Sequence, residues 1–172
     1  MVGRGSWTHD NAQVQVHDSL RLRQVFGAFP SGVTTLGALV DGVPVGMAAS
    51  SFTSVSLDPA LVSVCIAHTS TTWPILQGAP RLGVSVLGAD QEQIARRMAS
   101  RDLDRFDGVA WRALESGAVV IDGVSAWLDC TIEDRFRAGD HDIVLLRVVE
   151  LDADLEVTPL VFHASAFRRL EI

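Results

Sequence analysis

The residues able to do chemistry in this chain of 172 residues lie in two small-residue segments and around one histidine. GMAASSFTSVSLDPA, residues 46–60, is dominated by Gly, Ala, Ser and Thr, whose side chains are too short to fill a core. Such residues let backbone approach backbone, or let backbone approach something flat. They equally suit an edge strand whose hydroxyls satisfy its own backbone. HTSTTW, residues 68–73, gathers hydroxyls and backbone N–H groups at the start of an expected short helix, a favourable setting for an anion such as phosphate. In RAGDHDIVLL, His141 stands between Asp140 and Asp142 at the mouth of an apolar run. The flanking carboxylates are expected to raise its pKa and orient its ring, although the same pattern describes a histidine in a surface turn. His9, His17, His68 and His163 have weaker local settings.

Residue types exclude several chemistries. All 14 basic residues are arginine, so neither a Schiff-base lysine nor a Walker phosphate loop is available. The chain has no tyrosine, so no phenol can serve as acid or oxyanion donor. GVSVL around Ser85 lacks the closing glycine of a serine-hydrolase elbow. Neither His-Glu-x-x-His nor a Gly-x-Gly-x-x-Gly after a strand occurs, which argues against a metalloprotease and a Rossmann dinucleotide site. Cys65 and Cys130 stand singly in VSVCIA and WLDCTI, without ligand spacing; both read as buried free thiols, and no metal site is expected.

A formal charge of −7 with dispersed arginines argues against a nucleic-acid partner. No apolar run reaches the roughly 18–20 residues of a membrane span. The polar start MVGRGSWTHDNAQVQVHDS lacks a signal peptide's apolar run, so a cytoplasmic location is expected.

The elements that must position these residues are mostly strands. After a flexible segment at 1–17, one domain is expected over 18–172. Asp18 or Ser19 can cap a helix through LRLRQVFGAF, with Leu22, Val25, Phe26 and Phe29 on one face, stopped by Pro30, Ser31 and Gly32. VTTLGALV and VPVGMAA flank Asp41-Gly42, a strong hairpin signal. SFTSVSL, ALVSVCIA and RLGVSVLG continue as strands, with a short helix in STTWPILQG that Ser70 can cap. Asp90 opens a helix through QEQIARRMAS, with Ile94 and Met98 about a turn apart. Further strands follow near AVVI, SAWLDCTIEDRF, DIVLLRVVELD, PLVFH and AFRRLEI. Strand runs joined by tight turns, with three short helices, predict a mostly antiparallel β barrel rather than a βαβ sheet.

A small-residue wall for a flat ring and a hydroxyl-rich helix start for a phosphate together point to a flavin. In order, these segments resemble the short-chain flavin reductases, the flavin reductase-like family of FMN-binding split barrels. LRQVFGAFPSGVTTLGA is similar to the family's opening helix and entry into the first strand. GVPVGMAASSFTSVSLDPALVSVCIAHTST is similar to its most specific run. DRFDGVAW, AWLDCTIEDRFRAGDHDIVLLRVVEL and PLVFHASAFRRL match later blocks, so the resemblance covers about residues 20–170. Ala48, Ala60 and Ser85 depart from the usual threonine, proline and asparagine. With alanine at 48, hydrogen bonding to the ring there falls to backbone amides.

The resemblance implies a six-stranded antiparallel Greek-key split barrel with peripheral helices near 20–29, 70–77 and 90–99. It implies reduction of FMN or FAD by NADH or NADPH, as a homodimer that supplies reduced flavin to a separate monooxygenase. A non-catalytic flavin-binding or electron-carrier protein on the same barrel is the nearest alternative. A pyridoxamine-phosphate-type oxidase and a barrel without cofactor stand further off. On this basis Met47, Ala48, Ala49, Ser50 and Ser51 are expected to form the flavin-edge wall, approached by Ser31 and Gly32. Ser70 and Thr71 are expected to hold phosphate or ribityl oxygens. Phe106 is a candidate cover for the ring, although it suits a core position as well, and His141 is the candidate on the nicotinamide side.

Overall fold

The computed structural model describes residues 18–101 and 104–170. The expected flexible segment 1–17, with His9 and His17, lies outside the described residues, as do 102–103 and 171–172. The elements run α1 (Ser19–Phe26), β1 (Ser31–Gly32), β2 (Thr34–Val40), β3 (Val43–Ala49), β4 (Thr53–Leu57), β5 (Ala60–Ala67) and α2 (Trp73–Leu76). They continue with β6 (Leu82–Val86), α3 (Glu92–Ala99), β7 (Trp111–Ala113), β8 (Val119–Ile121), β9 (Ala126–Ala138), β10 (His141–Ala153), β11 (Leu160–His163) and β12 (Ala166–Arg169). The three helices stand where the sequence puts them, each shorter than expected. Additional short strands, such as β1 and β7, appear where the pattern reads as a stop or an irregular stretch.

Local chemistry accounts for the punctuation. The Asp18 carboxylate accepts from the N–H groups of Leu20 at 2.9 Å and Arg21 at 3.2 Å, which starts α1. Asp41 and Gly42 both take positive φ, 51° and 78°, the two-residue turn whose twist matches the flanking strands β2 and β3. Asp90 does not cap α3. Its carboxylate instead meets Arg169 of β12, while the Gln91 side chain accepts the N–H of Gly88 at 2.9 Å.

Seven strands form one antiparallel sheet in the order β3-β2-β6-β9-β10-β5-β4. The first and last strands of that order, β3 and β4, are consecutive in the chain. Only residues 50–52 join them, a span of about 14 Å at full stretch from Ala49 to Thr53. A seven-stranded sheet can meet that limit only by bending round until its ends are neighbours, which makes it a split barrel. Ser51 fixes the seam: its hydroxyl accepts the Cys65 N–H at 2.8 Å and donates to the Cys65 carbonyl at 3.1 Å.

The barrel interior is filled by Leu36, Val64, Leu76, Leu82, Val84, Val144 and Leu146, all fully buried. Each such side chain contributes about 1.5–3 kcal/mol by burial. Along β5 the alternation puts Val62, Val64 and Ile66 inward, so Cys65 points outward and is exposed, contrary to the buried thiol expected from its apolar run. Cys130 is buried as expected; burial, and then the charge of Asp129, push its thiol up to about 12.

A second core lies outside the barrel, where α3, β8 and β11 cover it with Met98, Val119, Ile121 and Leu160. Here β8 crosses the facing pair Gly37 and Gly83 of β2 and β6. A Cβ at Gly83 would lie 2.1 Å from the Val119 carbonyl oxygen, and one at Gly37 would lie 2.9 Å from it. Beneath this layer the buried Asp129 takes a bidentate contact from Arg81, 2.9 Å from Nε and 2.7 Å from Nη2, and the Ser116 hydroxyl at 2.6 Å.

Because the Val119 obstacle is backbone, it cannot turn aside as a side chain could. Gly83→Ala is therefore expected to destabilise the fold by about 3 kcal/mol or more, the upper end of overpacking effects. Chemical denaturation of the variant checks this; a midpoint equal to the parent's would show that β8 does not rest on the pair.

Candidate active site

A cavity of ≈ 630 Å³ opens at the seam. One wall is Met47 and Ala48 of β3. The opposite wall is the end of β5 at Ala67 and the segment Thr69, Ser70, Thr71 and Thr72 that leaves it. The end of α3, with Met98, Ala99 and Ser100, and the guanidinium residues Arg101 and Arg105 complete the lining. An apolar surface of one methionine and one alanine thus lies on one side, and four consecutive hydroxyls with two arginines complete the lining.

The hydroxyl segment is held firmly. Ser70 Oγ accepts the Trp73 N–H at 3.1 Å, which starts α2, and lies 3.8 Å from the Met47 sulfur across the cavity. Arg105 reaches from the α3–β7 connection and donates from Nη1 to the Gly46 carbonyl at 2.8 Å and to Thr72 Oγ1 at 2.9 Å. One side chain therefore ties the small-residue strand to the hydroxyl segment and places positive charge where the two meet. Sequence reasoning missed Arg105, Arg101 and the α3 residues, and it took Thr72 only as part of the hydroxyl run. A single arginine in an irregular charged stretch carries no spacing signal.

The expected site residues divide. Met47, Ala48, Ser70 and Thr71 line this cavity together. Ser31 and Ser50 line a separate cleft of ≈ 460 Å³ with Arg23, Phe26, Phe29 and Phe162. Gly32 is paired to Val161 of β11, beside that cleft rather than in the main cavity. Ala49 is buried, and its carbonyl accepts the Thr34 hydroxyl at 2.8 Å. Ser51 is committed to the seam through Cys65. Phe106 does not line the cavity and takes the core position the sequence also allowed: it is buried in the outer core, edge-on to Trp111 at 5.7 Å, and packs where a side chain on Gly46 would otherwise lie.

His141 starts β10 directly opposite Ala67, the last rung of the β5–β10 ladder and a cavity residue. Asp140 takes its Nδ1 at 2.7 Å. A carboxylate only accepts, so Nδ1 carries the proton and Nε2 is the ring's other nitrogen, an acceptor while the ring is neutral. Asp142 does not touch His141. It meets His68 Nε2 at 2.8 Å, a pairing not anticipated from the sequence. No cluster of three or more potential metal ligands occurs among the described residues.

The family described as "Flavin reductase like domain" matches residues 26–171. This chain belongs to the flavin reductase-like family. It is 40% identical over 146 residues to a flavin reductase of Pseudomonas putida, covering 84% of this chain and 86% of that protein. It is 36% identical over 154 residues to the reductase subunit of a flavin-dependent monooxygenase from Rhodococcus jostii, covering 90% of this chain and 79% of the relative. The NADH:FAD oxidoreductase of Streptomyces globisporus, solved in complex with NAD and FAD fragments, superposes with a TM-score of 0.85 at 41% identity, over 90% of this chain and 93% of that one. The cavity's lining fits a flavin nucleotide: Met47 and Ala48 offer a flat ring an apolar surface, and the hydroxyls and guanidiniums suit a phosphate. His141, its Nδ1 on Asp140, stands at the strand end beside that set and outside the lining itself.

Asp140 carries a measurable sign of this arrangement. The hydrogen bond from His141, and then its charge, hold the Asp140 carboxyl below its ordinary value. Since the ionised form is the one held, the contact persists above that lowered pKa and is lost as pH falls through it. An NMR titration is expected to place the Asp140 midpoint below an ordinary aspartate, and His141→Ala is expected to move it back up. A midpoint unaffected by the substitution would mean the pair does not form in solution.

Proposed function

We propose that this protein is an NAD(P)H:flavin oxidoreductase that reduces FMN or FAD and passes reduced flavin to a separate monooxygenase. The observation that carries the reading is the seam cavity, where the apolar surface of Met47 and Ala48 meets hydroxyls and arginines in one ≈ 630 Å³ space. The relative named as a monooxygenase reductase subunit and the one solved with NAD and FAD fragments support it.

Bound flavin and nicotinamide would supply hydride transfer between their rings, chemistry that belongs to the two cofactors. The chain's task is alignment and charge. Met47 and Ala48 form the surface against which a flat ring lies. Thr69 to Thr72 hold phosphate or ribityl oxygens, with Arg101 and Arg105 supplying positive charge. His141, its ring oriented by Asp140, supports the nicotinamide nucleotide from the end of β10. Alignment at about 3–3.5 Å and preorganised donors replace an acid–base pair. Residues 18–172 act as one such domain in the cytoplasm.

Turnover of excess free flavin with NADH and NADPH tests the reading, because an electron carrier or a passive binder gives no sustained loss of flavin absorbance. Two variants locate the substrates. Ala48→Leu places a branched side chain in the ring space and is expected to weaken flavin binding by about 10- to 100-fold while the barrel stays folded. His141→Ala is expected to lower kcat/KM for the nicotinamide by about 3- to 100-fold with flavin affinity little changed. Parent-like constants for both variants would remove the site from this cavity.

The homodimer is part of the proposal. Helix α1 has no buried residue, and Leu20, Val25, Phe26 and Phe29 stand exposed on and just beyond it. On the barrel's outer face, Phe136, Ile143 and Cys65 form an exposed row across β9, β10 and β5. Sedimentation equilibrium is expected to give twice the chain mass, and a stable monomer with full turnover would refute the dimer.

A further inference from the structure

His68 does not line the cavity, yet it sits where the two halves of the site join. The chain leaves β5 at Ala67 and passes through His68 into Thr69, so two cavity residues flank it. Its main-chain N–H donates to the Asp140 carbonyl at 2.9 Å, and its ring Nε2 meets the Asp142 carboxylate at 2.8 Å. Asp140 in turn orients His141 through its side chain at 2.7 Å. The four residues form a closed set. Asp140 holds His68 by backbone and His141 by side chain, and Asp142 holds the His68 ring from the position just beyond His141.

The set links two segments with different tasks. Thr69 to Thr72 carry the hydroxyls on one wall, and the β9–β10 turn carries His141. Without the ring contact, the hydroxyl segment is joined to β10 by the Ala67–His141 rung and the one backbone bond of His68. A strand end joined to its neighbour by so few bonds can shift against it even where the segment beyond is anchored, as Thr72 is by Arg105. A side-chain bond across the joint limits that motion. We propose that His68 is a positioning residue: through Asp142 it holds the Thr69–Thr72 segment in register with His141, so that it governs the binding of both substrates without contacting either. This inference rests on the flavin reductase reading of the cavity.

The histidine and the aspartate are each about one-third exposed, at 33% and 29% of their side chains, and a surface ion pair of that kind often contributes nothing measurable to stability. The proposal therefore places the effect in KM and not in stability. The test is a double-mutant cycle on the full chain with His68→Ala, Asp142→Ala and the pair combined, plus His68→Gln, whose amide can still donate to Asp142. Steady-state constants for flavin and NADH are read beside flavin binding by fluorescence quenching and the thermal midpoint.

Each single alanine variant is expected to raise KM for flavin and for NADH by about 3- to 10-fold, one hydrogen bond's worth, with kcat at saturation and the thermal midpoint nearly unchanged. The combined variant is expected to be no worse than the poorer single one, and His68→Gln to recover part of the loss. Unchanged KM values, additive losses, or a loss that tracks the thermal midpoint would each overturn the positioning role. If the parent chain bound or reduced no flavin, the functional reading would fail first and this inference with it. Active parent and parent-like variants would sink the inference alone.

Discussion

The molecule is organised by a geometric constraint on three residues. Strands β3 and β4 stand at opposite ends of the sheet order yet are consecutive in the chain, so residues 50–52 must turn one strand line from the first edge to the last. The whole sheet has to curl to allow it. Ser51 stabilises the corner by taking both backbone groups of Cys65, in the place where a further rung of β4 pairing on β5 would lie. The cavity is a consequence of that closure. Its two walls, β3 and the segment leaving β5, are brought face to face by the seam and by no direct strand pairing.

A split in a barrel has an energetic consequence. A closed ladder satisfies every backbone N–H and carbonyl, whereas the end of a sheet leaves a row of them to find other partners. In this protein one such carbonyl, that of Gly46, accepts from Arg105, whose guanidinium also meets Thr72. The same contact that satisfies the edge therefore brings a cation to the wall of the cavity. Structure and function share one side chain, and the site's charge comes with its closure.

Much of this was legible from residue types. Asp18 as a cap and Asp41-Gly42 as a hairpin follow local rules that tertiary packing did not override, whereas the apolar run of β5 hid the alternation that turns Cys65 outward. The small-residue run was recognised as making room, and the structure shows that it makes room for several things. Gly46 admits Phe106, Ala49 is packed inside, Ser51 closes the seam, and Met47 and Ala48 face the cavity. A sequence cannot apportion those tasks, because alternation says which residues share a face but not where the strand bends. The positions that escaped sequence reading, Arg105 and His68, act through partners 59 and 74 residues away, Gly46 and Asp142. No local pattern records such distances.

The shape of the site also explains what the chain lacks. A reaction that breaks carbon–oxygen or carbon–nitrogen bonds needs a nucleophile and a proton donor tuned to each other, and such tuning leaves groups buried beside charges. Among the described residues, the buried titratable groups are Asp129, held by Arg81 and Ser116, and Cys130, packed in the barrel interior, and neither belongs to the cavity lining. The cavity itself presents hydroxyls, guanidiniums and small apolar surfaces, which bind and align but do not abstract protons. Hydride transfer between two flat rings asks for little else, since its barrier falls with proximity and with donors placed for the charge that develops. A chain without lysine or tyrosine is therefore no poorer for this chemistry. The demands fall on geometry, and geometry here is held by the seam at Ser51, the clasp at Arg105 and the joined aspartates at the mouth of β10.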